Sequence, residues 1–91
     1  IIQTNTQIGE DTIINTGSIV DHDCKIASDC HLSPGVVCNG NVTINKRSFV
    51  GSGSTIINNI TIGKDCFIAA GSIVYEDIKD NYKLTQKRVY S

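Results

Sequence analysis

The chain contains two histidines, His22 and His31, and the first sits in the run Asp21-His22-Asp23. A neutral imidazole at physiological pH can take a proton from an attacking hydroxyl or amine. A carboxylate on the second ring nitrogen fixes the tautomer and favours the imidazolium that forms, and Asp23 is the candidate for that partner. The same residue can instead serve a turn, because Asn5, Asn41, Asn59 and Asp77 recur at equivalent places in the sequence. Two histidines nine residues apart make a poor zinc set, so no metal is expected. Neither a Walker-type loop nor a Gly-x-Ser-x-Gly elbow occurs. Proton transfer through an imidazole is the chemistry these residues offer.

Such a base needs a frame, and the sequence supplies one with a six-residue period. An aliphatic lattice runs Ile2, Ile8, Ile14, Val20, Ile26, Leu32, Cys38, Ile44, Val50, Ile56, Ile62, Ile68, Val74, with Ile, Val or Leu at twelve of thirteen positions. Four residues after each comes a small or medium residue, from Thr6 and Thr12 to Ser72 and Ile78. One residue earlier the column reads Asn5, Asp11, Gly17, Asp23, Asp29, Gly35, Asn41, Arg47, Gly53, Asn59, Asp65, Gly71, Asp77. Twelve of these thirteen are Gly, Asn or Asp, which tolerate positive φ. Arg47 is the exception, and its corner is expected to be strained or differently turned. The period matches neither an α-helix nor an alternating strand. It predicts an all-β parallel β-helix, each hexad giving one short strand and one corner. Three hexads close a coil of 18 residues, so thirteen make a little over four coils.

With 91 residues the chain allows one domain, expected as a β-helix over residues 1–79 and a tail over 80–91. A net charge of −1 gives no basic field for nucleic acid or lipid. No run of 18 apolar residues is present to span a membrane, and no secretory signal pattern is seen. Cys24, Cys30, Cys38 and Cys66 all fall on inward columns. They read as reduced core residues, which suits a cytoplasmic protein.

Residues 18 apart should stack. Gly17, Gly35, Gly53 and Gly71 then form one edge, flanked by Thr16, Pro34, Ser52 and Ala70. The other two corners manage with Asn and Asp, so this stripped edge suggests a groove, although glycine can also merely serve the turn. Two outward columns are apolar: Ile19, Val37, Thr55, Ile73, and Ile13, His31, Phe49, Phe67. A closed three-fold assembly would bury both. Gly40 falls one coil above His22. It leaves space over the imidazole and offers a backbone N–H, and a base beside an open donor is what acyl transfer requires.

Through Asn15-Thr16-Gly17-Ser18-Ile19-Val20-Asp21-His22-Asp23-Cys24, then His31-Leu32-Ser33-Pro34-Gly35, Gly40-Asn41-Val42-Thr43-Ile44, Phe49-Val50-Gly51-Ser52-Gly53 and Ala70-Gly71-Ser72-Ile73-Val74, the chain resembles bacterial hexapeptide-repeat acetyltransferases. The group it is most similar to is the sialic acid O-acetyltransferase and sugar-nucleotide amino N-acetyltransferase family. The resemblance implies a left-handed helix, a homotrimer, and acetyl-coenzyme A between neighbouring prisms. It implies His22 as general base, Asp23 as its carboxylate, and Gly40 as the oxyanion donor. His31, Ser52 and Ala70 match positions that contact the coenzyme, and Asn15 matches one near the sugar acceptor. Members of the family usually carry an N-terminal α/β lobe that helps hold the acceptor, and residues 1–91, which start inside the repeats, are not expected to form it. Asp80-Asn81-Tyr82-Lys83-Leu84-Thr85 stands where a Gly-x-Pro-Ala type segment is common, and Lys87 and Arg88 could meet a coenzyme phosphate. The expected function is acetyl transfer from acetyl-coenzyme A to a sugar hydroxyl or amine. The rival is a non-catalytic trimeric scaffold or partner-binding module.

Overall fold

The structure, a computed structural model, describes residues 1–85. Its strands are two residues long and stack into three parallel faces. The polar face stacks Gln7–Ile8, Lys25–Ile26, Thr43–Ile44 and Thr61–Ile62. The aromatic face stacks Ile13–Ile14, His31–Leu32, Phe49–Val50, Phe67–Ile68 and Lys83–Leu84. The aliphatic face stacks Ile19–Val20, Val37–Cys38, Thr55–Ile56 and Ile73–Val74. Register advances by 18 residues per coil, as in Ile19↔Val37 and Val37↔Thr55.

In each strand the second residue points inward, so the six-residue lattice becomes the core. Val20, Leu32, Ile44, Val50, Ile56, Ile62 and Ile68 are all 0% exposed. Between the faces, the chain turns through left-handed residues. Asn5, Asp11, Asp23, Asp29, Asn41, Asn59 and Asp65 hold φ of 55–66°, and the four edge glycines 71–76°. Arg47 makes the same turn, with φ 60°. It is therefore not differently turned. Its guanidinium donates to both carboxylate oxygens of Asp65 one coil above, at 2.7 and 2.9 Å.

The small column forms an internal spine. Thr6, Thr12, Ser18, Cys24, Cys30, Ser48 and Ser54 each donate a side-chain hydrogen to the carbonyl fifteen residues on. All four cysteines are buried and free.

The last coil departs from the expected register. Ile78 bridges Ile62, and Lys83 pairs with Phe67, so this coil is two residues short. One carboxylate replaces a main-chain acceptor and another takes up an N–H that the other coils leave spare. Asp77 Oδ1 accepts the Thr61 N–H (2.8 Å), whereas one coil below the Thr43 N–H goes to Ile60 O. Asp80 Oδ1 accepts the Lys64 N–H (3.0 Å). Asn81, not Asp77, takes the left-handed turn, with φ 62°. The stack consequently runs past residue 79, through Lys83–Leu84.

Candidate active site

The seven site residues read from the sequence fall into two groups on two edges of the prism. His22, Asp23 and Gly40 occupy the edge between the aliphatic and polar faces. Ser52 and Ala70 lie on the glycine edge, between the aromatic and aliphatic faces, and Asn15 and His31 sit on the aromatic face beside it.

At the first edge the imidazole is held on one side only. His22 Nδ1 lies 3.0 Å from Asp23 Oδ2. An ionised carboxylate only accepts, so Nδ1 carries the proton and Nε2 keeps its lone pair. Asp23 is thus a corner residue and the partner of the imidazole at once. The hydrogen bond to Asp23, and next the charge of Asp21, hold the His22 pKa above its ordinary value. The two side chains are 62% and 52% exposed, so solvent screens the pair and its importance is geometric.

Asp21 was not singled out by its type. Its Oδ1 accepts the His22 N–H at 2.7 Å, and Thr6 Oγ1 donates to its carbonyl at 2.9 Å. The signal was an aspartate directly before a corner residue whose N–H the coil leaves free. That position is the same one Pro34 fills on the next edge without loss of a hydrogen bond.

Gly40 lies directly over the ring. A Cβ on it would stand 2.7 Å from His22 Cε1 and 2.8 Å from Nε2. Among the described residues, the Gly40 N–H makes no hydrogen bond to the protein. A base nitrogen and a free backbone donor therefore adjoin at one edge.

The glycine edge is open. A Cβ on Gly17 or Gly35 would meet only the next glycine, at 3.8 Å, and one on Gly53 would meet nothing within 4 Å. Nine other residues take positive φ without being glycine, so neither the turn nor the chain's own packing demands a glycine at every level. Ser52 and Ala70 are exposed there. Asn15 Nδ2 lies 3.1 Å from His31 Nε2 and also donates to Leu32 O at 3.3 Å. His31 stacks on Phe49, and Phe49 on Phe67, each pair 5.2 Å apart. Among the described residues, no three His, Cys, Asp or Glu side chains converge as a metal site, and no helix is long and apolar enough to cross a membrane. Lys87 and Arg88 lie outside the described residues.

Comparison with known proteins agrees with this architecture. A perosamine N-acetyltransferase from Caulobacter crescentus, solved as a histidine-to-asparagine variant with CoA and GDP-perosamine, is 39% identical with a TM-score of 0.86, over 87% of this chain and 38% of that one. The acetyltransferase domain of PglB from Neisseria gonorrhoeae, solved with acetyl coenzyme A, is 32% identical with a TM-score of 0.89, over 90% of this chain and 40% of that one. WeeI from Acinetobacter baumannii, at 24% identity and a TM-score of 0.77 over 90% of this chain and 50% of that one, shares the fold. The chain spans about two fifths of the length of the first two. Residues 5–40 and 41–76 match the bacterial transferase hexapeptide (six repeats) family. The solenoid is thus a left-handed parallel β-helix, and the chain belongs to the bacterial hexapeptide-repeat transferases.

Proposed function

We propose that this chain carries the catalytic machinery of an acetyl-coenzyme A-dependent acetyltransferase whose acceptor is an amine or hydroxyl of a sugar, with nucleotide-linked amino sugars the favoured class and sialic acid the other. The carrying observation is the imidazole tethered through Nδ1 to Asp23, with Nε2 beside the free N–H of Gly40. His22 Nε2 takes the proton of the acceptor as its nitrogen or oxygen attacks the thioester carbon. The Gly40 N–H donates to the oxyanion that forms. The carbon–sulfur bond then breaks, and the coenzyme thiolate recovers the proton from the imidazolium. No covalent enzyme intermediate arises. The coenzyme bound to the Neisseria domain, and the CoA and GDP-perosamine bound to the Caulobacter enzyme, support this assignment.

The coenzyme arm lies along the glycine edge against Ser52 and Ala70, with His31 near the acetyl group and Asn15 towards the acceptor. That edge and the His22 edge are separated by the aliphatic face. A homotrimer supplies one edge from each of two neighbours and covers the exposed Ile13, Ile19, Phe67 and Ile73. Four free cysteines suit a reducing cytoplasm.

The test is His22→Ala, assayed by release of free coenzyme thiol with GDP-perosamine and sialic acid as acceptors. Turnover should fall by about a hundredfold or more, while calorimetry still reports acetyl-coenzyme A binding. Undiminished turnover rejects the base. Absence of saturable acetyl-coenzyme A binding at millimolar concentration in the wild type favours a scaffold instead.

A further inference from the structure

The proposed oxyanion donor is one end of a peptide unit whose other end is buried. A trans peptide is planar, with its C=O and N–H pointing opposite ways. Whatever fixes the Asn39 carbonyl therefore aims the Gly40 N–H. The Cys24 thiol lies 3.1 Å from Asn39 O. Among the described residues, no other donor reaches that oxygen. At two other levels the spine carbonyl has a second donor: Ser33 O accepts from both Ser18 Oγ and the Val36 N–H, and Ala69 O from both Ser54 Oγ and Ser72 Oγ. Cys24 is 0% exposed, and burial pushes its thiol pKa up, so the sulfur keeps the proton it donates.

We propose that Cys24 is a positioning residue for acyl transfer: its thiol proton, given to Asn39 O, holds the Asn39–Gly40 peptide with its N–H turned outward over His22. Thr6 does the same one coil below, on the carbonyl of Asp21, and so fixes the peptide that carries His22. Two consecutive spine donors thus align base and oxyanion donor from inside the prism, without touching substrate. The inference rests on the acyl-transfer reading for its kinetic consequence, but not for its structural one.

Cys30 is the matched control. Its thiol lies 3.1 Å from Asn45 O, it is equally buried, and the peptide it aims, Asn45–Lys46, is on another edge. Cys24→Ala, Cys24→Ser and Cys30→Ala are compared in the full chain. Cys24→Ala should lower kcat by about tenfold or more, with KM for acetyl-coenzyme A within twofold, because the lost contribution is to the oxyanion alone. Cys24→Ser should restore kcat, since hydroxyls occupy this column at Ser18, Ser48 and Ser54. Cys30→Ala should leave kcat within twofold of wild type. Independently of turnover, the Gly40 amide resonance should move in Cys24→Ala and stay in place in Cys30→Ala. A Cys24→Ala kcat equal to that of Cys30→Ala, or a Gly40 amide unmoved by the loss of the thiol, overturns the inference. If His22→Ala turns over normally, the acyl-transfer reading has failed, and the Gly40 resonance still decides the role of Cys24.

Discussion

Gly40→Ala separates catalysis from folding. The new Cβ would lie 2.7 Å from His22 Cε1, whereas ordinary contact begins at 3.4 Å, so the ring must retreat by about 0.7 Å. It is free to do so, because the His22 side chain is 62% exposed and, among the described residues, held by a single hydrogen bond, to Asp23. Gly40 is not among the glycines of positive φ, so alanine is compatible with the backbone. Such a substitution stabilises a folded chain by about 0.4–1 kcal/mol through the unfolded state. Catalysis should respond in the opposite sense. A misplacement on the order of 1 Å costs about a hundredfold, and a hundredfold is about 2.7 kcal/mol of barrier. A shift of 0.7 Å should therefore cost on the order of ten- to a hundredfold in kcat. The assay pairs thermal unfolding with thiol release at saturating acetyl-coenzyme A. The expected variant melts no lower than wild type and turns over slowly. A variant with wild-type kcat would show that the contact between Gly40 and the imidazole plays no part in the reaction.

Asp23→Asn keeps a side chain suited to φ 60° and removes the carboxylate whose hydrogen bond is the largest cause of the raised His22 pKa. In the proposed mechanism the neutral imidazole is the active form, so activity should fall as pH drops through that pKa. Removing the carboxylate should move the acid limb of the kcat/KM profile to lower pH and lower the plateau, and an unmoved limb refutes the pairing. Ile73→Glu, on the aliphatic face where Ile73 is 63% exposed, should leave the coil folded but dissociate the proposed trimer in sedimentation. An unchanged assembly removes that face from the interface. Ile44→Ala empties part of a fully buried position and should lower stability by about 2–5 kcal/mol in denaturant unfolding.

The period made the coils legible because every constraint on them repeats. The inward isoleucines, the left-handed corners and the glycine edge are each set by neighbours one coil away, so a linear pattern contains them. Arg47 looked anomalous only because its partner, Asp65, is a side chain 18 residues on rather than a backbone requirement. The shortened last coil was hidden for a related reason. Ile78 fits the six-residue register on the small column, yet in three dimensions it serves as the aliphatic residue over Ile62. Nothing in the pattern announces that Asp77 can stand in for a backbone carbonyl, or that Asp80 can take the spare Lys64 N–H. At the site, the stacking of Gly40 on His22 follows from the arithmetic of 18. The roles of Asp21 and of the Cys24 thiol depend on which way a peptide plane faces, and residue type alone does not encode that.

Stability and chemistry occupy different columns of this solenoid. Inward residues and spine donors carry the folding energy, and the aliphatic core contacts recur from coil to coil. Corner residues of the Thr16, His22, Pro34, Gly40 and Ser52 series contribute little to the core, and the coil's main-chain hydrogen-bond pattern uses no N–H at these positions, which Pro34 lacks altogether. A side chain that reacts or makes room can be placed there at small cost to the fold. Where the residue is not proline, these spare N–H groups supply backbone donors along an edge. What distinguishes the proposed catalytic edge is then the choice of two neighbours in a vertical column, an imidazole below and a glycine above, on a frame that would stand without them.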